Sequence, residues 1–234
     1  GHIGKGQRHC GKDDETANRM DLLLFVTKGV SVVATLLRNA GVEVPAHINR
    51  FVVDALFSTI TNANFDIESI TGRIVNGLKF REQLKEEAAG HGIELPVIDE
   101  LVWKGDESTF EGKALTVGVL REANPDIRSL KELIIYGLKG MAAYVEHADN
   151  LGFEEKDLHA FIQHALAETL RKDLSAEQLT ALVLETGSYG VKAMALLDKA
   201  NTSSYGNPEI TQVNIGVRNN PAILISGHDL KDME

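Results

Sequence analysis

The chain has 234 residues with 34 acidic against 24 basic side chains, and its formal charge of −10 argues against a nucleic-acid or anionic-membrane surface. A hydrophobic content of 43% is enough for a packed core in one large domain or two small ones. The single cysteine, Cys10, excludes an internal disulfide and leads us to expect a reducing, cytoplasmic setting.

Polar interruptions such as Lys28 in "DLLLFVTKGVSVVATLL" argue against a membrane span, and the Gly/His/Lys-rich start lacks the apolar segment of a signal peptide. Six segments carry helical periodicity. The first runs from about Thr16 to Ala40, with Leu22, Phe25, Val26, Val30, Val33, Leu36 and Leu37 three or four apart and Gly41 as its stop. The second covers about Ala46–Ile60, and the third runs from after Asp66 to about Ala89, stopped by Gly90 and Gly92. A polar connector from about Gly90 to Arg128 follows, with one short helix near Phe110–Val117. The remaining helices span about Ser129–Leu151, Glu154–Arg171 and Ser175–Ala200; Ser175 and Gln178 have the spacing of a capping box.

These six helices form two copies of three. Residues 21–41 align without a gap on 132–152, matching Leu22 with Leu133, Lys28 with Lys139, Gly29 with Gly140 and Gly41 with Gly152. Residues 48–60 align on 158–170 one residue out of register, matching Phe51 with Phe161 and Leu56 with Leu166. Two related three-helix units are expected, at 16–90 and 128–200. Mid-helix Gly29 and Gly140 each cost about 1 kcal/mol against Ala, so a close helix crossing is expected at both.

After Ala200 the chain turns polar, with apolar Ile210, Val213, Ile215 and Val217 interspersed, a pattern suited to a long ordered loop or short strands. Ala222-Ile223-Leu224-Ile225 then reads as a buried-type strand that delivers His228 and Asp229 onto a turn. A lone strand leaves its backbone groups unpaired, so 201–234 is expected to be a loop and the first strand of a further α/β domain. The fold class expected is mainly α.

No HExxH, GxSxG, Walker or CxxC motif is present. His147, His159 and His164 sit in helical patterns and read as ordinary helix residues. His164 and Glu168 lie one turn apart, but two ligands without a third make a weak metal site. Cys10 directly precedes the first helix, whose N-terminal dipole favours a thiolate. His228 ends a strand, where open α/β sheets place ligand-binding groups.

The stretches "CGKDDETAN", "DLLLFVTKG", "ALFSTITNANFD", "LIIYGLKGMAAYVEHA" and "ALLDKANTSSYGNPEITQVNIGVRNNPAILISGHDLKDME" resemble the hybrid-cluster (prismane) proteins, a family of hydroxylamine reductases. The resemblance runs from Cys10 to Glu234. It implies the N-terminal part of a larger enzyme that carries a 4Fe–4S cubane and a hybrid Fe–S–O cluster, and that reduces hydroxylamine or nitric oxide with electrons from a redox donor protein. By the resemblance Cys10 matches the last of four cubane cysteines, with residues 1–15 a remnant of that segment. His228 matches a hybrid-cluster ligand, and Thr61 and Asn62 match residues lining the substrate cavity. The chain departs from the family before Cys10, where "GHIGKGQRH" holds no cysteine; with one thiolate of the usual four, neither cluster is expected on this chain alone, which should be inactive. The alternative is a non-catalytic helical interaction module. Without its sheet the C-terminal strand is expected to fray, to fold back on the bundle or to pair with a second copy of the chain, and no nucleic-acid or membrane partner is expected.

Overall fold

The computed structural model describes residues 13–60 and 66–222. Three long helices open the chain: α1 (Asp14–Asn39), α2 (Ala46–Ile60) and α3 (Ile67–Gly90). Two short ones, α4 (Asp99–Val102) and α5 (Glu107–Ala114), and a 3-10 turn at Val119–Arg121 fill the connector. The second set follows as α6 (Pro125–Asn150), α7 (Lys156–Glu168) and α8 (Ala176–Tyr205). Among the described residues there is no strand, so the fold is mainly α as the periodicity predicts.

Local chemistry fixes most helix ends. Gly41, Gly92 and Gly152 adopt positive φ, and each closes its helix with paired backbone bonds. After α1, for example, Gly41 N donates to the Arg38 carbonyl and Val42 N to that of Leu37, both at 2.9 Å. The Ser175 box at the start of α8 forms in both directions: Gln178 N donates to Ser175 Oγ, and Ser175 N to Gln178 Oε1.

The repeat is visible in the packing. α1 lies along α3 as α6 lies along α8, and these are the most extensive pairings. The second helices cross over: α2 packs chiefly on α6, and α7 chiefly on α1. Each unit therefore completes its core with a helix of the other. Arg38 bridges this crossing, donating to Gln163 Oε1 of α7 at 2.5 Å and to Asn49 Oδ1 of α2 at 2.6 Å.

The expectation for the matched glycines needs correction. A Cβ on Gly29 would stand 2.4 Å from the Glu100 carbonyl of α4, so Gly29 admits a short connector helix rather than a partner in a helix crossing. A Cβ on Gly140 would meet nothing within 4 Å. The tight crossings use other glycines. Gly77 of α3 faces Val26 of α1, whereas in the second unit Gly137, the residue that aligns with Val26, faces Thr186 of α8. The bulk has changed sides while the gap stays filled.

The connector is packed, not merely polar. Phe110 is 0% exposed, Trp103 meets Phe25 edge-on at 6.0 Å, and Lys113 sits between the Asp99 carboxylate and the faces of Phe25 and Trp103. α1, long and apolar enough by composition to cross a membrane despite Lys28, has 72% of its apolar window buried inside this assembly. Its apolarity serves the core. Beyond Gly206 the chain to 222 has no regular structure, and Ile210, Val213, Ile215 and Val217 are exposed. Of the two readings left open for this segment, it takes the loop; the strand expected from Ile223 onward lies outside the described residues.

Candidate functional site

Cys10, Thr61, Asn62 and His228, the four site residues taken from the resemblance, lie outside the described residues. The elements that flank three of them are described. α1 begins at Asp14, α2 ends at Ile60 and α3 begins at Ile67. Because successive helices run antiparallel, these three termini share one end of the first unit. Asp13 caps α1 by accepting from Thr16 N, and Asp66 caps α3 by accepting from Glu68 N and Ser69 N. Buried Arg19 joins the two helices one turn further in, reaching Thr71 Oγ1 at 3.4 Å and Glu15 at 3.5 Å. Arg73 clamps α3 to α2 through both oxygens of Asp54, at 2.7 and 3.0 Å. The segment before Asp13 and the segment 61–65 are thus attached to one braced helix end.

The histidines divide by environment. His147 packs edge-on to Phe57 and lies 3.3 Å from Glu146. His159 is 3% exposed, and its Nε2 lies 3.4 Å from the equally enclosed Asp149 carboxylate at the α6–α7 junction. His164 is exposed and lines a cavity of about 480 Å³ together with Glu168, Glu94 and Thr35. Arg171 donates to the Glu168 carboxylate at 3.0 Å. Among the described residues no three His, Cys, Asp or Glu side chains converge in a way that could hold a metal. With one cysteine in the whole chain, its residues do not fit a complete cubane or hybrid cluster.

In sequence Lys28 reads as a repeat match and as a polar break in an apolar run, and the same break is the signal of a lysine drawn into a core. Half-buried on α1, it feels Glu132 and Glu100, but the loss of solvent dominates and lowers its ammonium pKa from 10.5 to about 8. Burial likewise raises the Glu132 carboxyl. The folded chain therefore releases the Lys28 proton near pH 8, and the unfolded chain near 10.5. Between these values the unfolded state holds more protons, so stability rises with pH, and the cost of the buried charge is fully present below pH 8. Because Lys28 keeps some solvent contact, Lys28→Met is expected to stabilise the fold at pH 7 by only about 1 kcal/mol. It should also remove the rise between pH 8 and 10. Denaturant titrations of both proteins at pH 7, 8.5 and 10 check this; parallel pH profiles would show that Lys28 is hydrated in the fold.

Residues 4–234 match the family model described as Prismane/CO dehydrogenase family. Among curated proteins, hydroxylamine reductase of Bacteroides fragilis strain YCH46 is 57% identical over 225 residues, covering 96% of this chain and 40% of that protein. The hydroxylamine reductases of Porphyromonas gingivalis strain ATCC 33277 and Clostridium botulinum strain Okra are 55% and 52% identical, each again over 96% of the chain. The chain spans about two fifths of the length of these relatives.

Proposed function

Because the chain belongs to the Prismane/CO dehydrogenase family, we propose that it is the helical part of a hydroxylamine reductase-type oxidoreductase. The observation that carries this reading is the 57% identity to the Bacteroides fragilis hydroxylamine reductase over nearly the whole chain. The overall reaction is reductive cleavage of the N–O bond: hydroxylamine takes up two electrons and two protons and leaves as ammonia and water. Nitric oxide is the other small nitrogen species the resemblance admits. Electrons come from a redox donor protein in the cytoplasm.

The chain's own contribution is positional. The braced end formed by the start of α1, the end of α2 and the start of α3 carries the segments that contain Cys10 and Thr61-Asn62. In the longer protein Cys10 would offer one thiolate and His228 one neutral imidazole to clusters whose remaining ligands lie outside this chain. Thr61 and Asn62 would offer a hydroxyl and an amide to the bound substrate. Alone the chain cannot assemble either cluster, so no redox step is assigned to it. The Ala222–Ile225 strand would be free to pair with a second copy; deleting 219–234 should abolish any association that depends on it.

The test uses Bacteroides fragilis hydroxylamine reductase in which this chain replaces the 225 aligned residues, reconstituted anaerobically with iron and sulfide. Ammonia release from hydroxylamine with a reduced viologen donor is the readout. Turnover by this protein and none by the 234-residue chain is expected. An iron-loaded long protein that reduces neither hydroxylamine nor nitric oxide would overturn the proposal, and one that binds no iron would favour the non-catalytic helical module.

A further inference from the structure

The outer surface formed by α6 and α8 does not look like a face meant for water. Every exposed position of α6 between 129 and 144 is uncharged, and Leu133, Tyr136 and Tyr144 there are 56%, 60% and 41% exposed. On α8, Leu184, Val191 and Met194 are 71%, 62% and 46% exposed along one stripe. An exposed helix face normally carries the charges of an amphipathic pattern. Here Lys192 is turned the other way, toward Asp157 of α7, and Tyr189 stacks on Phe161 on that same side. α6 and α8 pack along each other, with Gly137 against buried Thr186 on the inner side, and both apolar stripes lie on the outer side of this pair.

Glycines accompany both stripes. Positions 140, 187 and 190 have open space where a Cβ would stand, although glycine weakens a helix interior. Half-buried Gly140 and Gly190 and exposed Gly187 make sense where another backbone approaches closely. Contiguous apolar surface of this kind on a folded chain marks an interaction site.

We infer that the α6/α8 face is covered by the part of the longer reductase that this chain does not span, an inference that rests on the function proposed above. More than half of each relative's length lies outside the aligned region, so a large covering body is available. Access to it is also built in. Gly206, with φ 87°, turns the chain out of α8 into an exposed stretch that runs on through 222. At ~3.3 Å per residue this arm reaches ~50 Å, longer than the ~45 Å of α8 itself, so what it leads to can lie back over the whole face. Its exposed Ile210, Val213, Ile215 and Val217 are apolar like the face they adjoin.

Hydroxyl-radical footprinting tests the assignment, because Tyr136, Tyr144 and Met194 are themselves reactive probes. Oxidation is read by mass spectrometry in the 234-residue chain and in the Bacteroides fragilis protein carrying it. At least fivefold slower oxidation of the three probes in the long protein is expected, with Tyr189 changing less than twofold. Equal rates in the two proteins would overturn the inference. So would a dimer mass in sedimentation accompanied by concentration-dependent protection of the short chain, which would make a second copy the occupant. If the hybrid protein does not fold, maleimide labelling of Leu184→Cys in the short chain is compared with a cysteine at the aligned position of the unmodified Bacteroides fragilis enzyme. Labelling at least tenfold slower in that enzyme supports the interface, and equal labelling excludes it. Hydroxylamine turnover, measured on the same preparations, separates the two readings: protection without turnover leaves the interface standing and removes the function, and turnover without protection does the reverse.

Discussion

Replacing Arg81 by Met is expected to destabilise the fold by about 3–5 kcal/mol, the range for stripping one partner from a buried charged network. Arg81 is 1% exposed on α3, and its guanidinium donates to the Glu100 carbonyl at 2.9 Å and the Trp103 carbonyl at 2.7 Å. Beside it Lys85 donates to the Leu101 carbonyl at 3.1 Å, and the Glu82 carboxylate accepts from both cations. The reason lies in α4. A helix of four residues cannot pair its own last carbonyls, and two cations at its C-terminal end supply the missing donors and complement its dipole. Met fills the space but leaves two buried carbonyls without partners, each a penalty of about 1–3 kcal/mol. A fall in melting temperature of roughly 10 °C should follow for a domain of this size. Arg81→Lys should recover only part of the loss, since a single ammonium lacks the fork that reaches both carbonyls. Thermal and urea unfolding followed by circular dichroism decide the matter. A loss below about 1 kcal/mol would mean that water reaches those carbonyls and the connector is looser than its packing indicates.

Opposite outcomes are expected for one chemical change at the two aligned glycines. Gly29→Ala should cost about 1–3 kcal/mol, toward the upper end, because the new methyl lands 2.4 Å from the Glu100 carbonyl and 3.3 Å from Arg81 Cδ. Backbone, not a flexible side-chain tip, is the obstacle, so α4 must move. Gly140→Ala has open space and should stabilise the isolated chain by about 0.5–1 kcal/mol through helix propensity. Since Gly29 and Arg81 act on the same carbonyl, combining Gly29→Ala with Arg81→Met should cost less than the two changes separately. Denaturation of the four proteins measures both effects. Equal signs at the two glycines, or strict additivity of the pair, would remove the role given to Glu100.

The family could be read from the sequence because its most distinctive stretch, from Ala195 onward, is a continuous run whose identity does not depend on how it folds. The candidate site was legible only through that resemblance. Cys10 and His228 stand at opposite ends of the chain, and Thr61-Asn62 falls between α2 and α3, so no local pattern links them. The polar groups that the helices do bring together are not legible in the sequence for a related reason. Arg38, Asn49 and Gln163 meet across a crossing of α1, α2 and α7 that no spacing along the chain announces.

What the sequence determined by itself is whatever a few neighbouring residues control: apolar stripes at helical spacing, positive-φ glycines at three helix ends, the Ser175 cap and the doubling of a three-helix pattern. Even there Asn124-Pro125 begins α6 four residues earlier than the apolar stripe suggests, because the side chain of Asn124 and the fixed φ of proline start a helix that apolar spacing cannot reveal. Tertiary structure alone decided the rest. Gly29 and Gly140 occupy aligned positions, each directly after a lysine, yet one faces a connector carbonyl and the other open space. The exchange of α2 and α7 between units, and the full burial of Phe110 in a connector that reads as polar with one short helix, likewise depend on contacts between residues far apart in the chain. Helix propensity and capping act over three or four residues, whereas the gap a glycine fills is set by whichever element the whole fold lays against it.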